Sequence, residues 1–233
     1  MKVSIITCTI RQRYIDNVFK NYHSQRFKDK ELIIVLNKDN MDIKAWRQKA
    51  KMHANVRVYQ VSEKLTLGEC LNFGIIKSKF PVIAKFDDDD FYSPFYLEEV
   101  ESAFQRNVAD IIGKTSYFTY IEKEKLLLTL HKTENCYTNF VAGGTLVFKK
   151  EVWKKVRFGK EKSGTDVSFL KRCRRRGYKI YSTSKSNYTL VRRSNYKTHT
   201  WQITNNQIIS KGKKILYTNN YKPYVTSSKF KRF

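Results

Sequence analysis

Asp87, Asp88, Asp89 and Asp90 stand in a row in a 233-residue chain that carries a formal net charge of +25. Four adjacent carboxylates repel one another, at about 1 kcal/mol per pair 4 Å apart even in water. They directly follow the apolar run Pro81–Phe86 and precede Phe91-Tyr92-Ser93-Pro94. An acidic cluster at a strand end calls for a hard divalent cation, since Mg²⁺ and Mn²⁺ prefer oxygen ligands and share them with phosphates. A solvated acidic turn is the alternative. The strand-end position favours the cation, because open α/β sheets bind ligands at the carboxyl ends of strands.

Other groups with chemical potential are sparse. Asp166 is the last acidic residue; the 67 residues after it hold 17 Lys or Arg and no Asp or Glu. His199 is one of four histidines. The cysteines Cys8, Cys70, Cys136 and Cys173 lie far apart without zinc-type spacing, as expected of unpaired thiols in a reducing cytoplasm. No apolar stretch nears the roughly 20 residues of a membrane span, and the N-terminus reads as a first core strand, not a leader. An acid-free C-terminal third attracts polyanions: nucleic acid, an anionic membrane or a phosphate-rich polymer. A general Lys-, Asn- and Tyr-rich bias accounts for part of the charge.

The elements that position these groups follow from periodicity. Val3–Cys8, Leu32–Leu36, Val56–Val61 and Pro81–Phe86 are strand-like. Between them, residues 14–22, Met41–Met52 and Leu67–Lys77 have helical spacing. Ser93 is expected to cap a helix that Pro94 opens, with Leu97, Val100 and Phe104 inside. Alternation of this kind predicts a doubly wound, mostly parallel α/β sheet flanked by helices. After residue 110, short strands are expected at Ile111-Ile112, Thr115–Glu122 and Lys125–His131, the last two as a hairpin. Beyond a strand from Thr145, helices are expected at Glu151–Lys155 and Asp166–Arg175, then strands at Tyr178–Ser182 and Tyr188–Arg193. From about residue 205 no core pattern is evident, so a docking tail or disordered arm is expected.

Four segments in this order resemble family 2 glycosyltransferases of the GT-A fold. They are V-S-I-I-T-C-T-I-R with E-L-I-I-V-L-N-K-D; L-G-E-C-L-N-F-G-I with I-A-K-F-D-D-D-D-F-Y-S-P; G-G-T-L-V-F-K; and G-T-D-V-S-F-L-K-R-C, followed by G-Y-K-I-Y and H-T-W. The resemblance covers residues 2–202. It implies a GT-A domain over 1–205, with a nucleotide-sugar half (1–112), a smaller acceptor half (113–205) and a basic tail (206–233).

The resemblance also implies roles. Thr9, Arg11 and Asp39 would line the nucleotide pocket, with Gly68 and Asn72 at its back; Asn72 serves equally well as a helix brace. Asp87 and Asp89 match the D-x-D motif, Asp87 toward the nucleotide and Asp89 on a Mn²⁺ or Mg²⁺ ion. His199 would reach the metal or diphosphate, and Arg192 and Arg193 the diphosphate. Asp90, Gly143, Gly144 and Trp201 would border the sugar or acceptor, while Asp88 is expected to be solvated and dispensable. Asp166 would be the general base of an inverting transfer, or a plain helix cap. Thr165 replaces the acid that usually precedes it.

The implied function is metal-dependent transfer of a hexosyl or N-acetylhexosaminyl group from a nucleotide-sugar, a UDP-sugar by this pattern. The acceptor is a glycan, lipid-linked intermediate, protein or peptide. The expected location is the cytoplasm or the inner membrane face, with the basic tail on an anionic membrane or polymer. The other readings are a nucleic-acid- or polyanion-binding protein, for which no nucleic-acid motif is present, and a non-catalytic relative.

Overall fold

Strand β1 (Val3–Thr9), helix α1 (Ile15–Ser24), β2 (Lys30–Leu36), α2 (Ile43–Ala50), β3 (Val56–Gln60), α3 (Leu67–Lys77) and β4 (Val82–Lys85) alternate as their periodicity dictates. The computed structural model describes residues 1–130, 133–194 and 203–229. Helix α3 starts where Thr66 and Glu69 form a reciprocal capping box, which satisfies two orphan N–H groups of the first turn.

The chain continues through β5 (Phe91–Tyr92), α4 (Tyr96–Arg106), β6 (Ile111–Gly113), β7 (Tyr117–Ile121), β8 (Leu126–Leu130) and β9 (Cys136–Thr138). A 3₁₀ turn at Gly143–Thr145 leads into β10 (Val147–Lys149) and α5 (Lys150–Lys155). The last elements are α6 (Thr165–Arg175), β11 (Ile180–Ser182), β12 (Tyr188–Arg192), α7 (Asn205–Lys211), β13 (Lys213–Tyr217) and α8 (Lys222–Val225).

The eight-stranded sheet runs β3-β2-β1-β4-β10-β6-β11-β9. Strands β1 to β4 are mutually parallel, and β10 runs antiparallel between β4 and β6. Successive side chains point to opposite faces, so Ile5 and Ile6 enter different cores. Ile5, Leu32 and Ile34 pack with Val18 and Phe19 of α1, Trp46 of α2 and Leu97 of α4. Ile6, Ile33 and Val35 pack with Leu71 of α3, Trp153 of α5 and Phe169 of α6. Both faces are covered by helices, as continuous apolar strands require.

The chain winds outward from β1 to β3, then returns to β4 on the other side of β1. This reversal opens a crevice at the carboxyl ends of β1 and β4. Thr9 ends β1 there, and the aspartate run follows β4. A second sheet, β13-β8-β7-β12-β5, packs through its own small apolar clusters.

Two expectations differ from the structure. Helix α4 begins at Tyr96 with Phe95 at its N-cap, not at Pro94. Phe91-Tyr92 pair with β12, so the chain cannot turn into a helix until they have ended. The Ser93 hydroxyl donates instead to Asn187 Oδ1 at 2.6 Å. The described residues of the C-terminal segment, up to 229, are also not a disordered arm. Strand β13 pairs antiparallel with β8, and Ile208 and Val225 are fully buried. Their apolar positions are too widely spaced to show a period, but each fills a gap left by the small sheet.

Candidate active site

The aspartate run is divided among four environments. Asp88 is buried. It accepts from the Thr9 hydroxyl and from the Arg11 guanidinium through both oxygens, with Arg11 Nε at 3.1 Å. The expectation that Asp88 is solvated is therefore wrong: the carboxylate lies inward, where Thr9 and Arg11 are its solvation. Burial pushes its pKa up to about 6 against the pull of Arg11, and the adjacent Asp89 adds to the rise.

Asp90 is also internal. Its carboxylate accepts from the Tyr188 hydroxyl at 2.5 Å and the Val191 amide at 3.1 Å. Asn17 donates to the carbonyls of Asp88 and Asp90, and Asn21 to that of Asp90, each at 2.8–2.9 Å. These asparagines lie four apart on α1, one face of the helix, and fix the loop from below. Asp90 thus supports the loop, and both its oxygens are engaged within the protein.

Asp89 pairs with Arg11 at 3.1 Å and with Arg193. Both guanidiniums also lie over the Tyr14 ring, at 4.8 and 5.3 Å. Asp87 accepts from the Lys85 ammonium at 2.5 Å. The Asp87 amide donates to Tyr92 Oη at 2.8 Å, and that hydroxyl donates to the Gly144 carbonyl at 2.5 Å. The Tyr96 hydroxyl holds the Thr145 carbonyl at 2.8 Å. The turn at 143–145 is thereby fastened to the acidic loop.

Both glycines of that turn are required by close approach. A Cβ at Gly144 would lie 2.9 Å from Asp87 Oδ2 and 2.5 Å from Tyr188 Oη, and a Cβ at Gly143 would fall on the Asp166 carboxylate. Asp166 sits in the first turn of α6. Its Oδ1 is buried without a hydrogen-bond partner among the described residues. Burial pushes the Asp166 carboxyl up, Lys85 opposes that rise and Asp87 adds to it. The helix dipole's preference for the ionised form is outweighed.

The structure thus gathers Asp87, Asp89, Asp90, Gly143, Gly144, Asp166 and Arg193 with Thr9 and Arg11 at the carboxyl ends of β1 and β4. Asp39 is exposed just beyond β2, on the same sheet edge, and its Oδ1 accepts from the Glu63 amide at 3.1 Å. Three expected members have structural duties elsewhere. Asn72 braces α3: it donates to the Phe158 carbonyl at 2.9 Å and accepts from Trp153 Nε1 at 2.8 Å and the Phe158 amide at 3.1 Å. Gly68 admits the Gly159 carbonyl, which a Cβ would meet at 1.9 Å. Arg192 is buried and binds the Ile203 carbonyl at 2.5 Å and Asn205 at 3.3 Å, which ties the C-terminal segment down. His199 and Trp201 lie outside the described residues.

Lys85, Tyr92, Tyr188, Asn17 and Asn21 were missed. Lys85 carried a signal: a lysine inside the apolar run Val82–Phe86 must find carboxylates if buried. The cation test is one of donor chemistry. Asp87 and Asp89, partly buried and paired with Lys85 and with Arg11 and Arg193, carry carboxylate oxygens, hard ligands of the kind Mg²⁺ or Mn²⁺ takes alongside substrate phosphates. Among the described residues no group of three or more His, Cys, Asp or Glu is placed to hold a metal alone. The donor chemistry of Asp87 and Asp89 is compatible with a hard cation that takes its remaining ligands from elsewhere.

The chain is 29% identical over 165 residues to the O-antigen biosynthesis glycosyltransferase WbnJ of Escherichia coli, covering 66% of this chain and 64% of that protein. Its fold is similar to S. aureus TarS 1-349, at a TM-score of 0.66 and 17% identity over 82% of this chain and 60% of that one; TarS 1-349 has also been solved with UDP-GlcNAc. The mannosyltransferase PcManGT of Pyrobaculum calidifontis, solved with GDP-Man and Mn²⁺, matches at a TM-score of 0.61 and 15% identity, over 82% of this chain and 56% of that one. The chain spans less than two thirds of each of these proteins. These likenesses support a mixed α/β, GT-A-type fold. The model of glycosyl transferase family 2 matches residues 4–163, well over half of the chain, and the protein belongs to that family.

Proposed function

We propose that the protein transfers a hexosyl or N-acetylhexosaminyl group from a nucleotide-sugar, a UDP-sugar, to an acceptor hydroxyl with inversion at the anomeric carbon. The observation that carries this reading is the shared turn: Gly144 abuts Asp87 on one side, and Gly143 abuts Asp166, whose buried Oδ1 has no partner among the described residues, on the other. A donor-side and an acceptor-side carboxylate thus flank one short stretch of backbone.

In this reading residues 1–112 bind the nucleotide-sugar and 113–205 the acceptor. Thr9, Arg11 and Asp39 border the nucleotide, and Asp87 faces its ribose. Asp89 would hold Mn²⁺ or Mg²⁺, with His199 as a further ligand. When bound, such a cation neutralises charge on the departing nucleoside diphosphate. Asp166 takes the proton of the acceptor hydroxyl as the acceptor oxygen bonds to the anomeric carbon; the bond from that carbon to the diphosphate breaks, and its electron pair leaves with the diphosphate. The buried Asp166 Oδ1, with no donor among the described residues, is suited to accept that hydroxyl's hydrogen bond. Arg193 contributes positive charge to the diphosphate once it leaves Asp89.

The acceptor is a hydroxyl of a glycan, lipid-linked intermediate, protein or peptide. The acid-free C-terminal third would draw an anionic polymer or the inner membrane face toward the site. Four unpaired cysteines suit the cytoplasm. Among the described residues no helix is long and apolar enough to cross a membrane.

The test is a panel of UDP-, GDP- and dTDP-sugars with and without Mn²⁺, scored for release of the nucleoside diphosphate. Metal-dependent release from a UDP-sugar is expected. No release from any donor, together with no thermal stabilisation by any nucleoside diphosphate plus metal, overturns the reading.

A further inference from the structure

Between Arg157 and Lys179 the chain carries nine Lys or Arg against two carboxylates, Glu161 and Asp166. Among the described residues two of the nine are in ion pairs: Lys160 with Glu69 at 3.1 Å and Arg172 with Glu161 at 2.9 Å. Lys162, Lys171, Arg174, Arg175, Arg176 and Lys179 are all exposed and pair with no carboxylate among the described residues. The fold gathers these charges on one surface. Helix α6 buries Phe169, Leu170 and Cys173, and Phe158 stacks on Phe169 with ring centres 4.2 Å apart. Arg172 fastens the preceding loop to the helix, because besides Glu161 it binds the Arg157 carbonyl at 2.9 Å. Arg157, Lys160 and Lys162 therefore lie alongside α6. Val167, Lys171, Arg174 and Arg175 share the outer face of the helix, since residues four, seven and eight apart fall on one stripe. That stripe starts beside Asp166 and runs for about 12 Å at 1.5 Å per residue. Cations in the last turn of a helix favour its dipole, which suits Arg174 and Arg175. Lys162 and Lys171 lie outside that turn. Like charges three and four residues apart, as Lys171 is from Arg174 and Arg175, weaken a helix. The stripe is poor helix chemistry and good polyanion chemistry.

We propose that the outer face of α6, with the loop beside it, is a track for an extended anionic glycan bearing phosphate or carboxylate groups, and that this chain is the acceptor led to Asp166. The proposal rests on the transfer reading above and names its acceptor class. The arginines present planar forks that match such oxyanions in pairs of hydrogen bonds. The arrangement favours a glycan over other polyanions. A bilayer would meet the charged far end of α6, while Asp166 stands in its first turn. Val167, 54% exposed, is the large apolar side chain that α6 offers to such a surface, and it sits at the opposite end from the arginines. Single-stranded nucleic acid is held by aromatic platforms, whereas Trp153 and Tyr178 here pack into the core beneath α6. A linear chain can lie along one helix face and still present its end to the base.

The experiment measures binding to the full chain by fluorescence anisotropy. The probes are labelled phosphodextran and polygalacturonate, compared with neutral dextran, oligothymidylate and vesicles of phosphatidylglycerol in phosphatidylcholine. Lys171→Gln/Arg174→Gln/Arg175→Gln removes charge from the track. Lys44→Gln/Arg47→Gln/Lys51→Gln removes the same charge from exposed positions around α2. The α6 variant should lose affinity for an acidic glycan roughly tenfold or more, as three fewer counterions are released. The α2 variant should bind as the wild type does. Should the triple α6 variant not fold, Lys162→Gln/Arg174→Gln is read in the same way. Equal losses in the α6 and α2 variants, or none in the α6 variant, overturn the proposal. So does stronger α6-dependent binding of vesicles or oligothymidylate than of either acidic glycan. With a donor that the wild type turns over, an acidic glycan should change the rate of nucleoside diphosphate release in the wild type and not in the α6 variant. An unchanged rate in the wild type overturns the link to the acceptor. Track-dependent glycan binding in a protein that turns over no donor would sink the transfer reading and leave the glycan surface standing. Turnover without track-dependent binding would sink the track alone.

Discussion

The Asp166 carboxylate lies against the backbone of Gly143 so closely that a Cβ added there would fall 1.7 Å from Asp166 Oδ2. No side chain fits between them. Gly143→Ala must therefore displace the carboxylate or the turn. A misplacement of about 1 Å at a reacting group costs roughly 10²-fold in rate. Gly143→Ala is expected to lose about that much kcat while binding UDP with Mn²⁺ normally, as read by calorimetry. Full activity in this variant would remove Asp166 from the base role.

Asp89 and Arg193 define a second relationship, a largely buried ion pair in the acidic loop. UDP with Mn²⁺ should raise the melting temperature of the wild type, since a ligand at about 100 times its Kd stabilises the folded state by ~2.7 kcal/mol. Asp89→Ala should abolish the part of the shift that depends on Mn²⁺. Asp166→Asn should keep it. An undiminished metal-dependent shift in Asp89→Ala would move the cation elsewhere.

Asn72 uses both ends of its amide within the protein. Asn72→Ala should cost about 1–3 kcal/mol of stability, the range for leaving buried partners unpaired, and should leave the Kd for UDP unchanged. Urea denaturation and calorimetry separate the two effects. A weakened Kd with unaltered stability would return Asn72 to the nucleotide pocket.

Glu31 supplies a pH signature far from the acidic loop. It accepts from Ser4 Oγ and the Lys79 amide, both at 2.6 Å, and from Arg57 at 2.7 Å. Burial pushes its pKa up, but these three donors outweigh it and hold the carboxyl below its ordinary value. A lowered carboxyl pKa contributes stability above the unfolded-state value of 4.5, which is lost as pH falls through the folded-state pKa. Glu31→Gln should reduce stability at pH 7 by about 1–3 kcal/mol and flatten its fall below pH 4.5, as measured by urea midpoints across pH 3–7.

Removal of residues 205–233 should prevent folding. It deletes buried Ile208 and Val225, each contributing about 1.5–3 kcal/mol. It also removes the strand that pairs with β8 and the Asn205 partner of buried Arg192. The summed loss of roughly 3–6 kcal/mol rivals a typical domain's whole stability of about 5–15 kcal/mol. A soluble, cooperatively melting truncation would restore the idea of an independent tail.

Local periodicity was enough to place β1 to β4 and the helices between them, because continuous apolar runs and 3.6-residue stripes are properties of neighbouring residues. The position of the aspartates at a strand end was legible for the same reason. Their division of labour was not. Asp88 turns inward because Arg11, 77 residues away, reaches it. Asp90 is held by Val191, 101 residues away. The C-terminal elements escaped notice because single apolar residues such as Val225 have no periodic neighbours and acquire meaning only against a sheet built earlier in the chain.

The sequence by itself therefore determined the layered sheet, the family, and which residue types gather at the carboxyl ends of β1 and β4. Only the tertiary structure decided which of them face inward, that Asn72, Gly68 and Arg192 have structural partners, and that buried Lys85 pairs with Asp87. The physical reason is that burial and partner choice belong to the folded arrangement: a carboxylate's environment is made by side chains that the chain brings to it from far along its length.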